Sequence, residues 1–452
     1  TIIMIRKSLI LSFTFISMFT QAQSIDKCVT TEMVNKSITE DSRNYLTMKD
    51  AADKNAKWLE TNRGNENKSI ITVPIVIHVV HRSNHSNIGS GTNISNAQIE
   101  DGLRILNEDY SKTNPEFPNP PRNTFVQYAG NTQLQFCLAT EDENGNPTTG
   151  ITRTSTTETN FDVDGNDEMK RAITGGKDGW DPDKYLNIWI CDIVNSGGGQ
   201  ILGYSYLPGT VGWSMWKDGV VVDYRYFGTI GVSAGGNDGR TPTHEIGHYL
   251  GLLHTFCQEA DASGNPICCD NDDSNWGGYV DDTPATKDIY YGTVTSSTNN
   301  NTCNDLSYSN AFNTDVLDMD ENFMSYASTT WMFTIEQVDV MNGTLNGYRS
   351  GLKNSNIPMN CTGTVGIENL MDNNQIKIYP NPTNGRILVQ NLVNARTKNI
   401  IVRNILGEIV YTQLSDGNST ISINLSILEN GIYFIEISTD KGIRLEKVIL
   451  AK

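Results

Sequence analysis

The densest apolar run in the chain is Val73-Pro74-Ile75-Val76-Ile77-His78-Val79-Val80, a nearly unbroken series of β-branched residues. A run with no polar alternation predicts a strand covered on both faces. Residues 95–110 change period: Ile99, Leu103, Leu106 and Tyr110 recur at helical spacing behind Ser95, whose hydroxyl is placed to cap a helix. Pro115, Pro118, Pro120 and Pro121 then interrupt regular structure. Further strands are predicted over 134–139, 186–193 and 218–228, the last offering an edge where an extended peptide could pair, and a helix over 333–341. From residue 375 onward, short alternating runs (IKIYP, RILV, NIIVRNI, EIVYTQ, TISINL, GIYFIEI, EKVIL) are parted by turn-formers such as Pro380-Asn381-Pro382. That pattern predicts a small all-β sandwich of about seven strands.

At 452 residues the chain exceeds one ordinary domain. Arg6 and Lys7, an apolar stretch over 8–19 and Gln21-Ala22-Gln23 read as a secretory signal over residues 1–23. Residues 24–68 are polar, with weak helical patterning and few large apolar side chains, and read as a pro-segment without a core. A folded body over 69–352, a linker over 353–374 rich in Asn, Gly, Pro and Thr, and the β-rich tail over 375–452 complete the division. The apolar stretch near the start is short for a membrane span and no other candidate follows, so a secreted, soluble protein is expected. The 34 Lys and Arg against 52 Asp and Glu give a net charge of −18, which argues against nucleic acid as a partner. Eight cysteines in an exported chain predict disulfides. Cys257, Cys268, Cys269 and Cys303 cluster in one loop-rich stretch, and Cys137 and Cys191 are either paired or buried.

Chemistry concentrates in residues 244–254, HEIGHYLGLLH, which hold three of the six histidines. His244 and His248 fall one helical turn apart and can share one metal ion, while Glu245 stands beside them without being a ligand. Gly251 allows the chain to leave the helix sharply, and His254 returns as a third ligand. Three nitrogens with one open position describe a catalytic zinc centre. Thr241-Pro242-Thr243 offers a hydroxyl cap and a proline for the first turn.

Other candidates surround this motif. Cys28, in Cys28-Val29-Thr30, is a candidate zinc ligand that would keep the zymogen silent by filling the open position. The acidic run Asp270, Asp272, Asp273, Asp281 and Asp282 could wrap calcium, although it lacks EF-hand spacing. Met324 in isolation would read as core packing, and Tyr326 could place a phenol near the metal, where an oxyanion develops.

The motif H-E-x-x-H-x-x-G-x-x-H matches the metzincin signature. Together with VPIVIHVV, LNIWIC, the FGT near Phe227, HTF after the motif, NFMSY and MFT, it resembles the pappalysin family of metzincins, over about residues 72–352. The resemblance implies an α+β fold: a metzincin-type zinc protease domain with a mixed twisted sheet and an active-site helix, followed by the small β-sandwich. It further implies zinc on His244, His248 and His254, Glu245 as general base, Met324 and Gly251 in structural roles, and Tyr326 at the metal. Calcium near Val280-Asp281-Asp282-Thr283-Pro284, with Asp282 and Thr283 as candidate ligands, is also implied, although Gly278 stands where relatives carry aspartate. Ala327-Ser328-Thr329-Thr330 departs from the family, so an acidic pocket for Arg or Lys does not carry over. The tail, through IYPNPTNG, LGE, NGIYFIEI and KVILAK, is similar to type IX secretion sorting domains, which implies that machinery as a partner and an extracellular or cell-surface destination. The expected function is hydrolysis of peptide bonds in protein or peptide substrates. The alternative, a silent secreted binding protein or adhesin, would require a missing ligand or base, and none is missing.

Overall fold

The computed structural model describes residues 26–64, 69–195, 200–269, 280–308, 310–361, 376–391, 397–404, 409–414, 420–439 and 442–452. The signal over 1–23, most of the 353–374 linker, and Asp270, Asp272 and Asp273 lie outside the described residues. In chain order the first elements are β1 (Asp26–Cys28), α1 (Thr30–Glu40), α2 (Arg43–Asn62), β2 (Ile71–Arg82), α3 (Asn96–Tyr110), β3 (Leu134–Ala139) and β4 (Ile151–Thr156). Next come β5 (Phe161–Asp162), β6 (Leu186–Cys191), β7 (Ile193–Val194), β8 (Ile201–Ser205), β9 (Val220–Asp223) and α4 (Thr241–Tyr249). Beyond these lie α5 (Ile335–Asn346), α6 (Ser350–Lys353) and β10 (Met359–Asn360).

The apolar run at 73–80 forms the centre of the main sheet, ordered β1-β8-β9-β6-β2-β3-β10, with β4 pairing the far half of β2. β2 lies parallel to β3, β4 and β6, and β6 lies parallel to β9, whereas β8 runs antiparallel to β9. The period of two sorts its side chains as expected for a strand covered twice. Val73, Ile75, Ile77 and Val79 join Ile99, Leu103 and Leu106 of α3 and Ile246 of α4 in one core. Val80 joins Trp189, Tyr204 and Val221 on the other face. Ser95 caps α3 by accepting from the Gln98 amide at 3.1 Å, and Thr334 and Gln337 form a capping box at the start of α5.

Three expectations change. The 218–228 strand shortens to β9, because a turn from Asp223 to Tyr226 ends it. β9 is also an interior strand, flanked by β6 and β8, so it offers no free edge to a peptide. Beyond it lies β8, which the alternation pattern did not reveal. Gly203 at its centre is there because a Cβ would meet Glu245 Cγ at 2.9 Å and Val221 O at 2.9 Å. The third change concerns residues 26–64, which form a strand and two helices. They make no core alone: Met33 and Val34 bury against Leu207 and Val211, while Leu59 enters the core beneath the sheet.

Cys137 pairs with Cys361, tying β10 to β3, and Cys257–Cys269 and Cys268–Cys303 staple the loop after α4. Cys28 and Cys191 are free and buried. The tail forms β11 (Ile376–Tyr379), β12 (Arg386–Asn391), β13 (Thr397–Arg403), β14 (Ile409–Leu414), β15 (Thr420–Asn424), β16 (Gly431–Thr439) and β17 (Gly442–Leu450). Its two sheets, β11-β12-β15 and β14-β13-β16-β17, close over Ile387, Val389, Ile400, Val402, Ile435 and Val448.

His78 on β2 is fully buried, with Nδ1 at 2.8 Å from Thr152 Oγ1 and Nε2 at 3.0 Å from Asn187 Oδ1. Burial pushes it down to about 4, so the fold holds the neutral ring. Its stabilising effect is complete above about pH 6.5 and is lost as pH falls from there through about 4, worth about 3 kcal/mol in all. Urea unfolding at pH 7 and pH 4.5 should show a larger loss for the parent protein than for His78→Gln. Equal losses would remove His78 as a source of acid sensitivity.

Candidate metal centre

Helix α4 begins at Thr241 with Pro242 in its first turn, where the missing N–H costs nothing. The expected threonine cap is not made; the Thr243 hydroxyl donates instead to Asp109 Oδ2 at 2.8 Å. The helix ends at Tyr249, and Gly251 follows at φ +100°, a conformation that side chains resist. That turn brings His254 back beside His244 and His248. Arg349 holds the end of the helix, donating from Nε to the Tyr249 carbonyl at 2.8 Å while its guanidinium pairs with Asp218.

The three Nε2 atoms lie 3.1, 3.1 and 3.2 Å apart. Each Nδ1 faces an oxygen: Phe323 O at 2.7 Å for His244, Leu252 O at 2.7 Å for His248 and Gln258 Oε1 at 2.8 Å for His254. Since an oxygen acceptor needs Nδ1–H, every Nε2 carries a lone pair, and the three lone pairs converge. Burial holds all three rings neutral, with His254 pushed down to about 4 and the other two well below their usual range. A tetrahedral ion with bonds of about 2.05 Å would separate its ligands by about 3.3 Å, so the triangle fits such a metal.

Cys28 Sγ completes the group: it and the three imidazoles offer ligand atoms within 4.8 Å of one another. It arrives on β1, which pairs parallel to β8 with Asp26 opposite Ile201 and Cys28 opposite Gly203. Glu245 is fully buried, and burial pushes its carboxyl up to about 8. Its Oε2 accepts from Cys28 Sγ at 3.5 Å and from Thr30 Oγ1 at 3.3 Å, while Oε1 has no hydrogen-bond partner among the described residues. Thr30 Oγ1 in turn accepts from the Ser205 amide at 3.0 Å.

Met324 lies beneath the helix, and Gly247 is required there, since a Cβ would fall 2.4 Å from Met324 Sδ. The Tyr326 ring packs 5.0 Å from that of His254 and 4.8 Å from that of Phe256, and its hydroxyl donates to Cys28 O at 2.9 Å. Next to it opens a cavity of about 270 Å³ lined by Asp238, Thr241, His244, Glu245 and Tyr326. The Lys27 ammonium enters it and donates to Tyr326 O at 2.6 Å and Ala327 O at 3.1 Å.

Asp282 and Thr283 are buried away from the three histidines, at the start of α5. Asp282 Oδ2 accepts from the Glu336 amide at 3.0 Å and the Thr334 side chain also hydrogen-bonds the carboxyl, while Oδ1 has no partner of its own among the described residues; burial pushes the carboxyl up to about 7. Lys27, Ser205 and Gln258 escaped the sequence reading, because none has a motif and each is recognised only by what it touches; Thr30 stands close to Cys28 in the sequence, but only the fold shows its contact to Glu245.

Residues 170–346 match the family described as pregnancy-associated plasma protein-A, a peptidase family, and residues 377–451 match the secretion system C-terminal sorting domain. Among solved structures, mature mirolysin of Tannerella forsythia bound to a cleaved peptide is 32% identical, covering 64% of this chain and 97% of that one, with a TM-score of 0.52. A promirolysin variant from the same organism is 28% identical over 72% of this chain and 97% of that one, with a TM-score of 0.55. An extracellular metalloprotease of Sordaria macrospora is 28% identical over 318 residues, 68% of this chain and 87% of that protein. One of Pyricularia oryzae is 28% identical over 225 residues, and the match spans only 58% of that protein's length. On these matches and this donor set, the chain belongs to the pregnancy-associated plasma protein-A family of metalloproteases and carries a C-terminal secretion sorting domain.

Proposed function

We propose that the chain is a secreted zinc endopeptidase made as a latent zymogen, with residues 24–68 as the pro-segment. The observation that carries this reading is the buried triangle of three Nε2 lone pairs, 3.1–3.2 Å on a side, with the Glu245 carboxylate beside it. Zinc on His244, His248 and His254 would supply Lewis acidity and water activation. Glu245 accepts the proton of the attacking water and passes it to the leaving amine, since the charge of the bound cation would counter the burial that raises its carboxyl. Its Oε1, buried and without a hydrogen-bond partner among the described residues, is free for that exchange. The Tyr326 hydroxyl already donates to a main-chain carbonyl lying in the cleft, that of Cys28, and the same donor would serve a substrate carbonyl as charge develops on it. Met324 and Gly251 position the ligands.

Latency follows from the same contacts. With zinc on the three nitrogens the Cys28 thiol would bind as thiolate, since a bound cation overrides the effect of burial on its pKa. Thr30 meanwhile engages Glu245, so the general base and the open coordination position are blocked together. Cutting after Asn62 and before β2 begins at Ile71 would sever the pro-segment ahead of that strand. The same proposal includes calcium at Asp282 and Thr283, supported by a buried Asp282 carboxyl whose Oδ1 is unpaired among the described residues.

Three outcomes are expected. Glu245→Ala should retain zinc, measured by metal analysis, and lose about 10²–10⁴-fold in peptide hydrolysis. Loss of the metal with the carboxylate would make Glu245 a ligand and end the assignment. Cys28→Ala should raise hydrolysis by an uncleaved zymogen while leaving the mature enzyme unaltered; equal latency in both would reduce the pro-segment to a steric plug. Deleting residues 375–452 should leave the purified enzyme active and stop its release from the cell, which fractionation and immunoblotting would reveal. Normal release of the truncated chain would contradict the sorting role.

A further inference from the structure

The three imidazoles are not held alike. His244 and His248 are oriented by main-chain carbonyls, Phe323 O and Leu252 O, which no side-chain substitution removes. His254 stands beyond the helix, and the acceptor at its Nδ1 is a side chain, Gln258 Oε1, at 2.8 Å. We propose that Gln258 is a positioning residue that selects the zinc-binding tautomer of His254. The inference rests on the zinc reading above.

An imidazole that offers Nε2 to a cation must carry its proton on Nδ1, so the Gln258 atom facing it must be the amide oxygen. Gln258 itself is exposed. Take its acceptor away, and Nδ1 meets solvent, which donates as readily as it accepts and no longer selects between the tautomers; a proton on Nε2 would destroy the ligand lone pair. The setting is fixed on both sides. Phe256 stacks on His254 with ring centroids 4.7 Å apart and an interplanar angle of 11°. Cys257, the residue before Gln258, is buried, bonded to Cys269, and donates its amide to Thr286 O at 2.9 Å. Gln258 Oε1 also accepts from the Thr31 hydroxyl, so the N-terminal segment touches this ligand's support as well as the open position.

Outer partners of metal-bound histidines commonly contribute 10–100-fold in metal affinity. The test compares Gln258→Leu, which keeps the bulk and loses the acceptor, with Gln258→Glu, which keeps an acceptor. Zinc affinity of the full chain would be measured by chelator competition, the cobalt-substituted protein by visible absorption, and the metal-free protein by thermal unfolding. The expected result is a loss of about 10–100-fold for Gln258→Leu with an altered cobalt spectrum, and affinity and spectrum near the parent's for Gln258→Glu. Parent-like binding by Gln258→Leu overturns the proposal. So do equal losses in both variants accompanied by equal drops in metal-free stability, which would assign Gln258 to loop packing. A parent chain that takes up no zinc would instead sink the enzyme reading itself.

Discussion

Three lone pairs aimed at one another inside a protein repel, and a cation between them turns that repulsion into binding. The catalytic half of the molecule is arranged to impose this convergence. Each Nδ1 is spent on an oxygen so that each Nε2 stays unprotonated. Gly251 bends the chain so that the third ring arrives, Gly247 lets Met324 come up beneath the helix, and Arg349 pins the helix end. Gly203 lets the neighbouring strand pass close against Glu245. Three glycines therefore serve one geometry for different reasons: one by conformation, two by absence of bulk.

The N-terminal segment answers this site group by group. Cys28 faces the imidazoles, Thr30 takes a Glu245 oxygen, the Cys28 carbonyl receives the Tyr326 phenol, and Lys27 lines the neighbouring cavity. Asp238 adds negative charge facing Lys27, although burial holds that carboxyl above its usual range. Residues after Tyr326 gave no reason to expect a cationic guest there. The cavity accepts one because it draws on main-chain oxygens and on Asp238, which precedes the catalytic helix.

What was legible in the sequence was whatever has a period or a fixed spacing. The central strand, α3, α5, the seven strands of the tail and the histidine motif all declare themselves within a short window. β8 did not, since Gly203 breaks its alternation to suit a helix some forty residues later. α1 and α2 read as weakly patterned because their apolar faces are narrow and match partners elsewhere, such as Val211. The contact between Cys28 and Glu245 spans a sequence separation of 217, a distance over which spacing carries no information. Cysteine pairing was likewise open until Cys137 met Cys361 across the sheet.

The shared core of residues 26–64 also bears on the direction of time. Met33, Val34 and Leu59 have their hydrophobic partners on the far side of any cut made ahead of β2. A fragment of that size with so little apolar surface of its own to bury cannot stay folded once it drifts away. It becomes an unfolded chain. Rebinding would require it to refold on a surface from the unfolded state. The borrowed core would thus work as a ratchet under the proposed cleavage: it holds the segment while the chain is whole and would disfavour its return once that bond is broken.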